Sequence, residues 1–151
     1  MKLKVLFIAS LFSFNYSIAQ EENTYDEKLA TELGADDYGM KSYVFCILKT
    51  GSNTNPTPEE KQKLFEGHME NINKLADENK LILAGPFRAN DRNYRGIFIF
   101  NCSTVEEAEK LVNSDPAVKA KLLEAELTPW YGSATLSKVK DLHKKIMKVK
   151  I

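Results

Sequence analysis

A chain of 151 residues, 43% hydrophobic and 28% charged, is long enough for one domain with a real core and too short for two comfortable ones. That composition excludes disordered and fibrous classes. The 21 basic and 21 acidic residues balance, so no global basic field exists to favour nucleic acid.

The first segment, "MKLKVLFIASLFSFNYSIAQ", has two lysines, an apolar run and a small-x-small site before Gln20. It is expected to be a secretory signal peptide (1–19) cut near Ala19, which makes the chain periplasmic or secreted. The alternative is an uncleaved anchor, although the run is short and interrupted for a spanning helix. No stable membrane insertion is expected after cleavage. Loss of Lys2 and Lys4 leaves a mature chain of net charge about −2. Residues 20–40 are an acidic, flexible lead-in with at most one helical turn.

"KSYVFCILKTG" (41–51) is aromatic and β-branched, the pattern of a buried strand. After the loop "SNTNPTP", Thr57, Pro58 and Glu60 form a capping box with proline at the first helical position, which starts a helix running to about Asn79. Leu64, His68, Ile72 and Leu75 share one face of it, so His68 sits inside the apolar stripe. "LILAGPF" (81–87) and "RGIFIFNC" (95–102) make a hairpin around the polar turn "RANDRNY". Thr104 and Glu107 start a second helix by another capping box. Asp115 and Pro116 then restart a short helix through about Leu123. "AELTPWYGS" (125–133) is the last strand, placed at a sheet edge by Pro129. The tail 137–151 carries six lysines and one aspartate, with Val139, Leu142, Ile146 and Val149 at helical spacing. It is read as a solvated helix capping the domain or its partner, with membrane-surface attachment as the lesser alternative.

The order β-α-β-β-α-β defines an α+β, ferredoxin-like sandwich with an antiparallel sheet over residues 41–136. Right-handed crossovers put the first and third strands side by side, Cys46 facing Phe98 and Cys102 at the far end. Such a separation forbids a disulfide, so both thiols are expected free and packed as small hydrophobes.

His68 on an apolar face and Asp115 at a helix cap each have a complete structural explanation alone. Together they suggest more. Both helices pack on one sheet face, so the middle of the first can approach the break after the second. A carboxylate held by backbone donors orients an imidazole and stabilises its protonated form, which is the basis of a His–Asp acid/base pair. Spacing by itself does not establish the contact.

The strings "GHMENINKLADENKLILAGPF", "GIFIFNCSTVEEAEKLVNSDPAV" and "LTPW" resemble the YCII (YciI-like) family over roughly 42–135. The matching positions are the helix His68, Gly85-Pro86 closing a strand, Asp115-Pro116, and Trp130. The resemblance implies a dimeric α+β barrel, a homodimer whose two sheets face each other around clefts. It also implies an active site of His68 and Asp115, and lyase-, isomerase- or dehalogenase-type turnover of small cyclic or anionic molecules with no metal or organic cofactor. A non-catalytic ligand-binding or packing module of the same fold is the alternative. The signal peptide, acidic lead-in, extended loop and basic tail depart from the family pattern.

Arg88 follows the strand bearing Gly85-Pro86 and could reach an anionic ligand, whereas Arg92 and Arg95 read as a solvated turn. Trp130 and Tyr131 could wall a pocket for a flat ligand or belong to the core. Neither His nor Cys has metal-ligand spacing, and His143 in the tail reads as solvated.

Overall fold

The structure is a computed structural model that describes residues 24–149. The expected signal peptide, the first residues of the lead-in and the last two of the tail lie outside the described residues. Among the described residues no helix is long and apolar enough to cross a membrane.

The elements in chain order are α1 (Glu27–Leu33), β1 (Met40–Thr50), α2 (Pro58–Asp77), β2 (Leu81–Pro86), β3 (Tyr94–Phe100), α3 (Val105–Val112), α4 (Pro116–Lys119), β4 (Leu123–Ser133), a 3-10 segment (Ala134–Lys138) and α5 (Val139–Ile146). The four strands form one antiparallel sheet in the order β2-β3-β1-β4. This is the α+β, ferredoxin-like β-α-β-β-α-β arrangement, with helices added at both ends and at the α3–α4 break.

The core lies between the sheet and α2, α3 and α4. Strand alternation sends Val44, Cys46, Leu48, Phe98 and Phe100 to the helix side, where they meet Leu75, Ala108, Val112 and Ala117. The other sheet face carries Tyr43, Ile82 and Ile99, with Phe45, Leu83 and Leu136 packed against them. The register pairs Cys46 with Phe98, and both cysteines are free and buried. Pro129 stands opposite Val44 on the outermost strand, where its missing N–H can point away from the ladder.

Local chemistry explains the element starts. Thr57 accepts from the Glu60 amide at 3.2 Å and Glu60 accepts from the Thr57 amide at 2.9 Å, closing the capping box. At α3 only half of the expected box forms, the Thr104 hydroxyl accepting from the Glu107 amide at 3.3 Å. The short helix after Asp115 is a single turn, shorter than the sequence suggests. Lys121 turns left-handed (φ 56°), and β4 begins two residues early at Leu123. Gly51 makes this crossing feasible. A Cβ there would stand 2.2 Å from the Lys121 carbonyl oxygen, and the Gly51 and Asn53 amides donate to Leu122 and Lys121 carbonyls at 3.0 and 2.9 Å.

In the acidic lead-in, Asp26 caps α1, Gly34 ends it in the left-handed region (φ 66°), and Leu33 is buried. The segment is tied to the C-terminal end of the chain: Lys138 pairs with Glu32 at 2.5 Å, and the Tyr131 hydroxyl donates to Asp36. The tail forms the expected helix α5, fixed by Lys140, which donates to the Ala76 carbonyl at 2.6 Å and pairs with Asp77 at 3.0 Å.

Candidate active site

His68 lies midway along α2, on the face turned to the sheet. Its ring stacks on Phe98 of β3 (centroids 5.9 Å apart, planes at 25°) and meets the edge of Phe65 at 6.0 Å. Asp115 lies at the break between α3 and α4 and is fully buried. One carboxylate oxygen, Oδ1, caps α4 by accepting from the Ala117 amide at 2.9 Å. The other, Oδ2, is 2.6 Å from His68 Nδ1. The two residues, 47 apart in sequence, thus meet, an approach that the packing of both helices on one sheet face permits and the structure shows.

Gly67 delivers the contact, and sequence reading missed it. Pro116, at the first position of α4, packs directly on α2, and a Cβ on Gly67 would stand 3.0 Å from Pro116 Cγ. A larger residue would hold the two helices apart. The only trace in the sequence is a glycine inside a helical stretch, directly before the histidine.

An ionised carboxylate accepts and cannot donate. In the neutral ring the proton must therefore sit on Nδ1, leaving Nε2 with its lone pair. Nε2 makes no hydrogen bond to any described residue, and the His68 side chain retains 11% of its exposure. Burial of Asp115 is offset by the Ala117 N–H and the imidazole. The carboxylate charge also reaches Cys46, whose thiol is pushed up to about 12 by burial first, then by Asp115 and Glu126. Cys46 is an inert neighbour of the pair.

The other sequence candidates lie elsewhere. Gly85 pairs with Ile97 and Trp130 with Tyr43, both on the sheet face opposite His68. Trp130 leans over Tyr43 and Phe45, with centroids 5.8 and 6.5 Å away. Pro86 pairs with Gly96 at the end of β2. Arg88 is exposed in the turn beyond, where its carbonyl accepts from Asn90 at 2.9 Å. A cleft between α3 and β4, lined by Val105, Val112, Val118 and Leu127, touches neither His68 nor Asp115. Among the described residues no group of three or more His, Cys, Asp or Glu side chains could hold a metal ion.

The four-stranded antiparallel sheet under one helix layer defines the class as an α+β sandwich, with a buried His–Asp pair between the layers. The YCII-related domain matches residues 42–131, and the chain belongs to that family. No curated protein sequence matches it. Among solved structures it is similar to the 5-chloro-2-hydroxyhydroquinone dehydrochlorinase TftG from Burkholderia phenoliruptrix, in complex with 2,5-dihydroxybenzoquinone. Identity is 19%, the TM-score is 0.42, and the match covers 58% of this chain and 92% of the other.

Proposed function

We propose that this YCII-family chain is an exported acid/base enzyme acting on a small cyclic or anionic molecule by lyase-, isomerase- or dehalogenase-type chemistry. The observation that carries this reading is the 2.6 Å contact between His68 Nδ1 and Asp115, which leaves Nε2 without a partner among the described residues. Nε2 takes a proton from the substrate or returns one. Asp115 holds the ring in the tautomer that presents that lone pair and stabilises the imidazolium formed during turnover. The test is a substrate screen on the mature chain with two variants beside it. His68→Ala is expected to lower kcat by roughly 10²–10⁴-fold, the usual worth of a positioned acid/base. Asp115→Asn is expected to lower it with KM little changed. Unchanged turnover in both variants would remove the assignment.

The same reading makes the protein a homodimer. Phe45, Ile47, Leu83 and Ile97 are half-exposed and Trp130 is exposed, all on the sheet face away from the helices. A second copy packed there would cover this aromatic surface and bring Trp130 and Gly85 to the wall of a shared cleft. Sedimentation of the mature chain is expected to give twice the protomer mass, and Phe45→Glu is expected to give the protomer alone.

One observation favours a second reading. His68 keeps only 11% side-chain exposure in the protomer, which suits a non-catalytic module whose His–Asp pair ties two helices together. Under that reading His68→Ala costs stability, and no substrate is turned over.

A further inference from the structure

Three consecutive residues at the α3–α4 break each meet a residue of α2. Ser114 Oγ lies 2.9 Å from Asn71 Oδ1, Asp115 lies 2.6 Å from His68 Nδ1, and Pro116 packs on Gly67. Asn71 and His68 are three residues apart, so they are neighbours on one helix face. The contact of residues 71 and 114 thus lies one helical turn from the pair.

The hydrogen bonds around Ser114 do not balance as drawn. Its hydroxyl lies 2.9 Å from Asn71 Oδ1 and 2.7 Å from the Leu111 carbonyl, two acceptors for one proton. The amide nitrogen Nδ2 of Asn71 is buried with no partner. A half-turn of the carboxamide, which changes its shape hardly at all, resolves both points. Nδ2 then donates to Ser114 Oγ, and Ser114 gives its proton to Leu111. The carbonyl oxygen takes the buried position, and an unpaired carbonyl is less costly there than an unpaired N–H.

We propose that Asn71 and Ser114 are positioning residues for the His68–Asp115 pair, joined in the chain Asn71 Nδ2–H to Ser114 Oγ–H to Leu111 carbonyl. The proposal rests on the acid/base reading of that pair, and neither residue need touch substrate. The break needs such a latch. The helix that Asp115 caps has only four residues, and the backbone at the break is held by single bonds from Ser114 and Asp115 to Leu111 and Val112, both 3.1 Å. A side-chain tie from α2 to the residue directly before Asp115 restricts the swing of its carboxylate away from Nδ1.

The test reads the imidazole itself. The mature chain is labelled with nitrogen-15 histidine, and His143→Gln assigns the two rings. At a pH where the nitrogen shifts show the His68 ring to be neutral, they also distinguish its two tautomers, and the latch predicts the single Nδ1–H form with a slowly exchanging Nδ1 proton. Ser114→Thr, which keeps the hydroxyl, is expected to preserve this signature. Asn71→Ala and Ser114→Ala are expected to give a tautomer mixture with Nδ1 proton exchange faster by about tenfold or more, while His143 is unchanged and amide dispersion shows a folded chain. Retention of the signature in both alanine variants overturns the latch. So does its loss in Ser114→Thr, which shows that the hydroxyl is not the agent. Asp115→Asn separates the two levels. A signature that survives Asp115→Asn overturns the pair and the latch with it. One that is lost in Asp115→Asn yet kept in the alanine variants overturns the latch alone.

Discussion

Asp115 holds two jobs with two oxygens: Oδ1 caps α4 and Oδ2 meets the imidazole. The two can be separated by substitution. Asp115→Ala removes both, and is expected to cost about 1 kcal/mol for the cap and about 1–3 kcal/mol more for the buried ring N–H left without an acceptor. Asp115→Asn keeps an oxygen for the Ala117 amide but turns an NH2 donor toward Nδ1 where Oδ2 accepted, so the charge is lost and the ring must take the opposite tautomer to keep a hydrogen bond. Urea unfolding should therefore place Asp115→Asn well closer to the parent than Asp115→Ala, while turnover falls in both. Equal destabilisation would mean that the charged contact with the ring, and not the cap, holds the break.

At the scale of elements, the decisive approach is that of α2 to α4 through Gly67 and Pro116. Gly67→Ala brings two opposed effects. Alanine favours the helix by about 1 kcal/mol over glycine, but its Cβ would stand 3.0 Å from Pro116 Cγ and must push α4 away by a few tenths of an ångström. These nearly cancel in stability, so the melting temperature is expected to move little. The displacement falls on Asp115, and turnover is expected to drop disproportionately. The elements themselves were legible because their signals are local: Thr57-Pro58 and Glu60 start α2, Asp115-Pro116 starts α4, and Pro129 marks an edge strand. The meeting of His68 and Asp115 was legible only as a possibility, since placing both helices on one sheet face lets the two approach without fixing the contact. The helix in the lead-in was less so, because Glu32 finds its partner in Lys138, more than a hundred residues later. The faces of Trp130 and Gly85 were also hidden, since a strand position has no side until the register is known.

At the scale of the whole molecule, alkaline pH should reveal how dry the core is. Burial raises the Cys46 thiol to about 12, far above its value in an unfolded chain. The folded protein thus keeps a proton that the unfolded chain loses near pH 9. The stabilising contribution is complete below the unfolded value and declines as pH rises toward the folded one, with a slope of about −1.4 kcal/mol per pH unit from this thiol. Burial also raises Cys102, to about 11, and Tyr43, which steepens the decline. Denaturant titrations at successive pH values above 9 should show it, and Cys46→Ala should flatten it. An unchanged slope in that variant would assign the alkaline loss to other groups.

The first and last residues of the sheet, Met40 and Ser133, are paired neighbours, and the Ala134 amide donates to the Gly39 carbonyl at 3.0 Å. Topologically the domain is therefore a nearly closed ring whose seam is zipped by α1 and the segment after β4. Additions at either terminus leave from that one seam, so a lead-in and a tail can be long, charged and unlike each other without threading through the sheet. The seam is also where the ring could be sealed and the chain reopened at the exposed turn between β2 and β3, leaving the order α2-β2 and β3-α3-α4 around the His–Asp pair intact.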